Sequence, residues 1–252
     1  MLPTNGDPLL DKVDRLHEWT RLTPGACHAG RAIGTDDPDR LGWDIIEQHA
    51  QEDGIFVFRH VPAETQPEIA ARVGAWGFGL HSWRIFHGTA DEIRARRRPS
   101  PTPAGYRIAV EAGPEPLAEV MDFLRRQGIA PLTVRTLSGE AGPVALVVAR
   151  DEAGAIGATA FGYFGFNAHS PWHRTAWCGL VAVDEAARGA GLGRAVNDAA
   201  IEAMLAHGAE AIVEYAAEDN IPSRRMIEGS GLVMREDILT CGATRGGARH
   251  TR

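Results

Sequence analysis

The first hundred residues carry apolar positions at the spacing of amphipathic helices. Asp-Pro pairs, which are typical of helix starts, stand at Asp7-Pro8 and Asp37-Pro38. Thr89 and Glu92 form a capping box for a further helix. The region is therefore predicted to be mainly helical, with one short strand at 55–58. The residues that recur at helical spacing in its first three helices are Leu9, Val13, Leu16 and Trp19; Leu41, Ile45 and His49; and Ile69, Val73 and Trp76.

A proline-rich segment separates this region from the rest of the chain. Three of the five residues 99–103 are proline, which neither continues a helix nor enters a central strand. The sequence thus predicts a mainly helical region at 1–100 and a second domain at 104–252.

From Tyr106 onwards, strand and helix patterns alternate, which is typical of an α/β fold. The final segment, Gly242 to Arg252, is predicted to be a loose tail. The predicted strands are Tyr106–Glu111, Pro143–Arg150, Ala155–Phe166, Thr175–Val183, Ala211–Ala216 and Leu232–Thr240; the predicted helices are Pro114–Gln127, Leu192–His207 and Ile221–Glu228.

Composition narrows the class of protein. The chain has 252 residues, 44% of them hydrophobic, so it is long enough to bury a core. Its net charge of −7 argues against nucleic acid as the main partner. The longest uncharged stretch, Ala153–Ala168, is shorter than the ~20 apolar residues of a membrane helix. With no visible signal peptide and three widely spaced cysteines, the expected location is the cytoplasm.

A glycine-rich loop between a predicted strand and helix is the most informative segment. Glycines let a ligand approach the backbone, and the unpaired N–H groups of a helix start favour phosphate. The Rossmann pattern fails because Arg194 stands where its third glycine belongs, and the phosphate-loop pattern fails because the only lysine is Lys12. A third pattern, Arg-x-x-Gly-x-Gly, matches in full at Arg188, Gly191 and Gly193.

This loop resembles the first signature of the GNAT superfamily of N-acetyltransferases. The segment Asn220-Ile-Pro-Ser223, followed by Met226-Ile227 and Gly231-Leu232, resembles the second signature. The resemblance covers about 104–252. It implies a mixed, mostly antiparallel central sheet flanked by helices, with acetyl-coenzyme A as acyl donor and co-substrate and an amine as acceptor.

The resemblance also implies which residues hold the coenzyme. The amide of Val181 is expected to bind the thioester oxygen, and Asn220 to bind the pantetheine arm. The loop and helix start are expected to wrap the pyrophosphate. The full predicted set is Val181, Ala182, Val183, Arg188, Gly189, Ala190, Gly191, Leu192, Gly193, Arg194, Asn220 and Ser223.

The chain departs from the family at the positions of the general base and acid. Trp177 and Gly179 occupy the positions where family members often carry Glu or His as the general base. Ile227 occupies the position where many members carry a Tyr as the general acid. His173 is the first choice and His169 the second as a replacement for the general base, because unperturbed histidine titrates near pH ~6.5. Their spacing also invites a zinc site, but Pro171 argues against one helix and no third ligand is near, so no metal is predicted.

Four other residues could take part in the chemistry, but each is expected to have a structural role. They are Tyr163, Glu214, Tyr215 and, as a small buried hydrophobe, Cys178.

Three functions follow from these observations. The main prediction is transfer of an acetyl group from acetyl-coenzyme A to a primary amine of a small molecule. The alternatives are acetylation of a protein or peptide, and a non-catalytic acyl-coenzyme A sensor, which the missing acid and base keep open. The N-terminal region is expected to shape the acceptor pocket, form a homodimer face, or be a degenerate second acetyltransferase half.

Overall fold

The structure is a computed structural model that describes residues 2–98 and 100–246. Pro99 of the predicted boundary and residues 247–252 of the predicted tail lie outside the described residues. The described chain forms ten strands and ten α-helices. The strands are β1 Ala26–His28, β2 Ile33–Thr35, β3 Ile55–Pro62, β4 Phe78–Thr89, β5 Tyr106–Glu111, β6 Val144–Asp151, β7 Ile156–Phe164, β8 Thr175–Val183, β9 Ala211–Ala216 and β10 Val233–Arg245. The helices are α1 Pro8–Arg15, α2 His17–Leu22, α3 Pro38–Leu41, α4 Trp43–Asp53, α5 Gln66–Ala75, α6 Ala90–Arg96, α7 Pro114–Arg126, α8 Val134–Leu137, α9 Leu192–Ala206 and α10 Ile221–Gly229.

All ten strands lie in one sheet, in the order β1-β2-β3-β10-β4-β9-β8-β7-β6-β5. Two neighbouring pairs, β2–β3 and β8–β9, are parallel, and the other pairs are antiparallel. The predicted mixed, mostly antiparallel sheet flanked by helices is confirmed. The sheet continues across the proline-rich segment, because β4 of the N-terminal region pairs with both β9 and β10.

One order of elements occurs twice along the chain. In the N-terminal unit it is β2, α4, β3, α5, β4, and in the C-terminal unit it is β8, α9, β9, α10, β10. In each unit the first two strands are parallel neighbours. The third strands are exchanged: β4 lies beside β9, and β10 lies beside β3.

Three buried apolar clusters hold the helices to the sheet. One lies between α9, α10 and the C-terminal strands, and includes Val196, Ile201 and Met204. The second joins α4 and α5 to β3 and β10, and the third joins α7 and α8 to the opposite face of β6–β8. The candidate site lies in the part of the sheet that has α7 on one face and α9 on the other.

The helix starts follow the sequence closely. Asp7 caps α1 by accepting from the Leu9 amide at 2.9 Å, and Thr89 and Glu92 form the predicted capping box of α6. The helix predicted from Asp37-Pro38 is divided into α3 and α4 by Gly42, whose φ of 97° a helix does not adopt.

The strand predictions for the N-terminal region were incomplete. The region is mainly helical, but it contributes four strands, and the twelve-residue β4 was missed. The tail prediction was wrong for 242–245, because β10 runs to Arg245 and buries Ala243 completely. Pairing on both sides, with β3 and β4, orders this segment.

Candidate active site

The strands β8 and β9 separate partway along their length. Their parallel pairing ends at Trp177 and Val213, and from Cys178 onwards β8 pairs only with β7. Val181 and Val183 are half-buried at this open edge. The gap leaves backbone groups of β8 available to a ligand that enters between the strands.

A β-bulge lies on β8 inside this gap. Leu180 and Val181 together face the single residue Ala160, since Gly179 pairs with Phe161 and Ala182 pairs with Thr159. Leu180 has a φ of 50°, a strained conformation for a leucine. A bulge leaves one residue outside the ladder, so it can turn a backbone amide toward the gap. The predicted oxyanion donor, the amide of Val181, belongs to this bulge.

The glycine-rich loop lies at the end of β8 and opens α9. Gly189 and Gly191 each have a φ of 83°, and the space beside both Cα atoms is open. A Cβ on Gly193 would lie 3.0 Å from a methyl group of Val183, so this glycine lets α9 pack closely on β8.

The start of α9 is an uncapped helix end. No side chain caps it, and its first turn holds no acidic residue. The helix dipole and the free N–H groups of Leu192, Gly193 and Arg194 therefore favour an anion here. The loop Arg188–Ala190 and this turn therefore offer an open, glycine-lined surface that suits an anion.

The two predicted arginines of the loop have protein partners. Arg194 lies against Asp198, with Nε–O distances of 2.8 and 2.9 Å, and donates to the Arg98 carbonyl at 2.7 Å. Its side chain thus points away from the loop, and only its backbone suits the predicted role. Arg188 is exposed, and its two bonds are long: it donates to the side-chain oxygen of Gln127 at 3.3 Å and to the Val183 carbonyl at 3.4 Å, so a ligand anion can compete with them.

The second motif begins α10 on the other side of the gap. The Asn220 side-chain oxygen caps the helix by accepting from the Ser223 amide at 3.2 Å. This bond leaves the NH₂ group of Asn220 as a donor for a ligand. Ser223 is half-buried in the first turn.

The positions of the usual base and acid hold apolar groups. The indole of Trp177 lies over Gly179, where a Cβ would be 2.3 Å from the ring. Ile227 is 2% exposed and packs in the core beside α9. These positions on β8 and α10 therefore contribute to packing and supply neither a general base nor a general acid.

The predicted bases His169 and His173 lie at the other end of β8. Both are exposed on the loop before the strand, and His173 bonds through Nδ1 to the Ser170 carbonyl at 2.9 Å. Val181 lies six residues beyond Thr175, which is about 20 Å along a strand. This separation argues against either histidine as a base at the bulge.

The same loop has a structural role that the sequence did not reveal. The side-chain nitrogen of Asn167 lies within 2.9 Å of the carbonyls of Thr20, Thr23 and Ala26. Asn167 therefore ties the loop to the N-terminal region.

A buried polar cluster joins β3 of the N-terminal unit to β9 at the gap. Arg59 donates to the Tyr215 hydroxyl at 3.1 and 3.2 Å, and His60 Nε2 lies 2.9 Å from the same oxygen. Arg59 is 2% exposed and has no carboxylate partner among the described residues. Burial and the Arg59 charge lower the pKa of His60 well below its usual range. Two polar residues within the apolar run of β3 were the only sequence signal.

A second buried cluster lies on the α9 side of the gap. Asn197 donates to Glu214 at 2.8 Å and to Ser230 at 3.2 Å. Burial raises the pKa of Glu214 to about 8, although the Asn197 bond acts in the opposite direction. Glu214 is thus largely a neutral carboxylic acid at pH 7. Cys178, next to it, is a buried thiol whose pKa burial raises, which makes it a poor nucleophile.

A cavity of about 150 Å³ lies on the α7 face of the sheet, between the two regions of the chain. The N-terminal region contributes side chains of α2 and His28, and the C-terminal region contributes Thr136 and the end of β7, including Tyr163. Tyr163 contacts Trp177, with ring centroids 5.5 Å apart, so the cavity adjoins the indole that covers β8.

His28 on the cavity wall is held neutral. The Gly30 amide donates to its Nδ1 at 3.1 Å, which leaves the proton on Nε2, 3.3 Å from the Thr136 hydroxyl. Burial lowers the pKa of His28 to about 3. His28 therefore offers a hydrogen-bond donor and no charge.

Residues 2–98 and 100–246 contain neither a cluster of metal ligands nor a helix that could span a membrane. No group of three His, Cys, Asp or Glu side chains is placed to hold a metal ion. None of the helices in that part of the chain has the length and apolar character to cross a bilayer.

Comparison with known proteins gives one family. Residues 119–231 match the model of the acetyltransferase (GNAT) family. This segment includes the gap, the glycine-rich loop and most of the second motif. No curated protein matches the chain.

Solved structures share the fold at low sequence identity. A GCN5-related N-acetyltransferase from Kribbella flavida has a TM-score of 0.59 at 14% identity, covering 96% of this chain and 97% of that one. A tandem GNAT protein from the clavulanic acid biosynthesis pathway has a TM-score of 0.54 at 19% identity, covering 86% and 76%. A GCN5-related N-acetyltransferase from Sphaerobacter thermophilus has a TM-score of 0.53 at 16% identity; the match covers 77% of this chain and 61% of that protein.

Proposed function

We propose that the chain, whose residues 119–231 match the acetyltransferase (GNAT) family model, moves an acetyl group from acetyl-coenzyme A to a primary amine of a small molecule. Acyl transfer as a class follows from the family. The observation that carries the finer proposal is the gap between β8 and β9, with its bulge at Leu180–Val181, directly before an uncapped, glycine-lined helix start.

The residues present fit acetyl-coenzyme A. The loop at Gly189 and Gly191 receives the pyrophosphate, where a side chain on either glycine would enter the open space. The open edge of β8 at Val181 and Val183 and the NH₂ group of Asn220 receive the pantetheine arm. The amide of Val181 faces the thioester oxygen and stabilises the negative charge that develops on it.

The chemistry needs few side chains. The amine nitrogen forms a bond to the thioester carbon, the carbon–sulfur bond breaks, and the products are an amide and the free thiol. Positioning in the gap and the backbone donor supply much of the rate. Since Trp177, Gly179 and Ile227 have no side-chain group that gains or loses a proton near neutral pH, water carries the amine proton to the sulfur or to bulk solvent.

The cavity beside Tyr163 is proposed as the acceptor pocket. Its volume of about 150 Å³ suits an acceptor smaller than the ligands of typical pockets, which occupy ~300–1,000 Å³. Because α2 and His28 contribute four of its fourteen lining residues, the N-terminal region shapes the acceptor site.

The N-terminal region is also proposed to be a degenerate second acetyltransferase half. The repeated order of strands and helices supports this origin, as does the similarity to a tandem GNAT protein. The buried, free state of all three cysteines suits the proposed cytoplasmic location.

The test is release of free thiol from acetyl-coenzyme A with a panel of small amines and short peptides. We expect turnover with small primary amines and little with peptides. Preferred turnover of peptides would favour protein acetylation. Tight coenzyme binding with no turnover on any amine would favour a sensor instead.

A further inference from the structure

We infer that the acceptor carries an anionic group in addition to its amine; this inference rests on the proposed function and names its substrate class. The inference rests on the lining of the cavity between α2 and the end of β7, where the guanidinium of Arg21 lies on the wall and no carboxylate does.

The cavity lining has one permanent charge. Arg21 lines it, while none of the described residues that line it is Asp or Glu. The other polar groups on the wall are neutral donors and acceptors, among them Thr20, Thr136 and the neutral His28. An acceptor with a second cationic group would find no counter-charge here, whereas an anionic group would find Arg21.

Arg21 is available to a ligand. Its partner is Glu18, three residues earlier on α2, with side-chain exposures of 56% and 67%. An exposed ion pair of this kind contributes little and exchanges readily with another anion. Glu18 itself does not line the cavity.

A second basic group lies beside this wall and comes from a different element. Arg135 on α8 precedes the lining residue Thr136, and its buried Nε has no hydrogen-bond partner among the described residues. Burial and the positive charge of Arg135 lower the pKa of His17, which also lines the cavity. The carboxylates of Asp14 and Glu18 lie near His17, but neither reaches the lining.

The orientation of the acceptor follows from these positions. The amine must reach the gap in β8, and Tyr163 connects the cavity to Trp177 on that strand. The anionic group then lies toward α2, where Arg21 binds it. The distinguishing chemistry is therefore an amine at one end and a carboxylate, phosphonate or phosphate at the other.

The experiment compares acceptors of similar length that differ in the charge of one end. The probes are 4-aminobutyrate and 3-aminopropylphosphonate as anions, 4-aminobutanamide as the neutral control, and 1,4-diaminobutane as the cation. We expect kcat/KM for at least one anion to exceed that of the amide about tenfold, with the diamine lowest. The two anionic arms distinguish a carboxylate from a phosphate-like group.

Variants then assign the preference to Arg21. Arg21→Ala is expected to raise KM for the preferred anion about tenfold, with kcat and the KM of the amide little changed. Arg21→Lys is expected to keep part of the preference. Arg94→Ala is the matched control, because Arg94 pairs with an acid three residues earlier on α6 and does not line the cavity.

Two outcomes contradict the inference in different ways. Equal kcat/KM values for the anions, the amide and the diamine, or an unchanged KM in Arg21→Ala, would overturn the substrate class and leave acetyl transfer intact. Absence of acetyl transfer to every amine tested, with coenzyme bound, would overturn the proposed function and the substrate class together.

Discussion

The two repeated units of this chain share an order of elements but differ where a coenzyme would bind. In the C-terminal unit, β8 leads through two glycines with φ of 83° into α9, which has no acidic residue in its first turn. In the N-terminal unit, β2 leads into α3 and α4 through a segment that contains Asp36, Asp37 and Asp39, and Asp44 lies in the first turn of α4. These carboxylates oppose a phosphate at the same place in the fold.

The two units also differ in the side chains that their second strands, β3 and β9, present to their own helices. β3 faces α4 and α5 with Phe56 and Phe58, in an apolar cluster. β9 faces α9 and α10 with Glu214, bonded to Asn197. The N-terminal unit thus packs aromatic side chains against its helices, whereas the C-terminal unit places a hydrogen-bonded acid among its apolar contacts.

The largest expected effect comes from removing the N-terminal unit. Because β4 lies between β9 and β10, a chain that begins at Ala104 lacks both neighbours of β10 and leaves one edge of β9 unpaired. We expect such a chain to aggregate or fail to fold, measured by soluble yield and circular dichroism. A soluble, folded fragment that still binds coenzyme A would show that the strand exchange is dispensable.

The next largest effect is expected from substituting one glycine in each unit, both with a left-handed φ. Gly191→Asp adds a side chain and a negative charge to the predicted pyrophosphate cradle, and is expected to lower the rate of thiol release more than ~100-fold. Gly54→Asp is the control, because Gly54 also has a left-handed φ, of 71°, and open space beside it, at the end of α4. Equal loss of activity in the two variants would indicate backbone strain as the cause.

A smaller effect sharpens the contrast between β9 and β3. The unfolded chain releases the Glu214 proton near pH 4.5, while the folded chain holds it to about pH 8. Between these values the folded state binds more protons, so Glu214 makes the free energy of unfolding fall as pH rises. Glu214→Gln, which mimics the neutral acid, is expected to stabilise the protein at pH 8 by on the order of 2 kcal/mol or more, and much less at pH 5.

Chemical denaturation at the two pH values checks this expectation. Phe58→Leu on β3 is the control, since it lowers stability without a change in pH dependence. An identical gain at pH 5 and pH 8 for Glu214→Gln would mean that Glu214 has an ordinary pKa.

The smallest effect concerns the loop before β8. His173 is exposed and about 20 Å or more from the bulge, so His173→Ala is expected to change kcat by less than about threefold and to leave the pH profile unchanged. A loss of ~10²-fold in kcat with removal of the acidic limb of the pH profile would restore His173 as the general base.

Particular residues explain how far the sequence predicted this molecule. The Asp-Pro starts, the Thr89–Glu92 capping box and the glycine loop are local signals, and each lies in the structure where the pattern indicates it. β4 was missed because its alternation is broken by polar residues, and its place in the sheet depends on partners more than one hundred residues away.

The site shows the same limit. Arg188, Gly191 and Gly193 could be predicted from the sequence because the spacing of the two glycines reflects backbone geometry. The Arg59–Tyr215 contact joins residues 156 positions apart, and no local pattern reports it. The cavity wall at Arg21 depends likewise on the contact of α2 with Asn167, in the segment after β7.

The most direct test of the account is calorimetric titration of coenzyme A into the intact chain, into Gly191→Asp and into Gly54→Asp. We expect one site per chain in the wild type and in Gly54→Asp, and no detectable binding in a folded Gly191→Asp. Two sites per chain, or unchanged affinity in Gly191→Asp, would contradict the claim that only the C-terminal unit, through its glycine loop, holds the coenzyme.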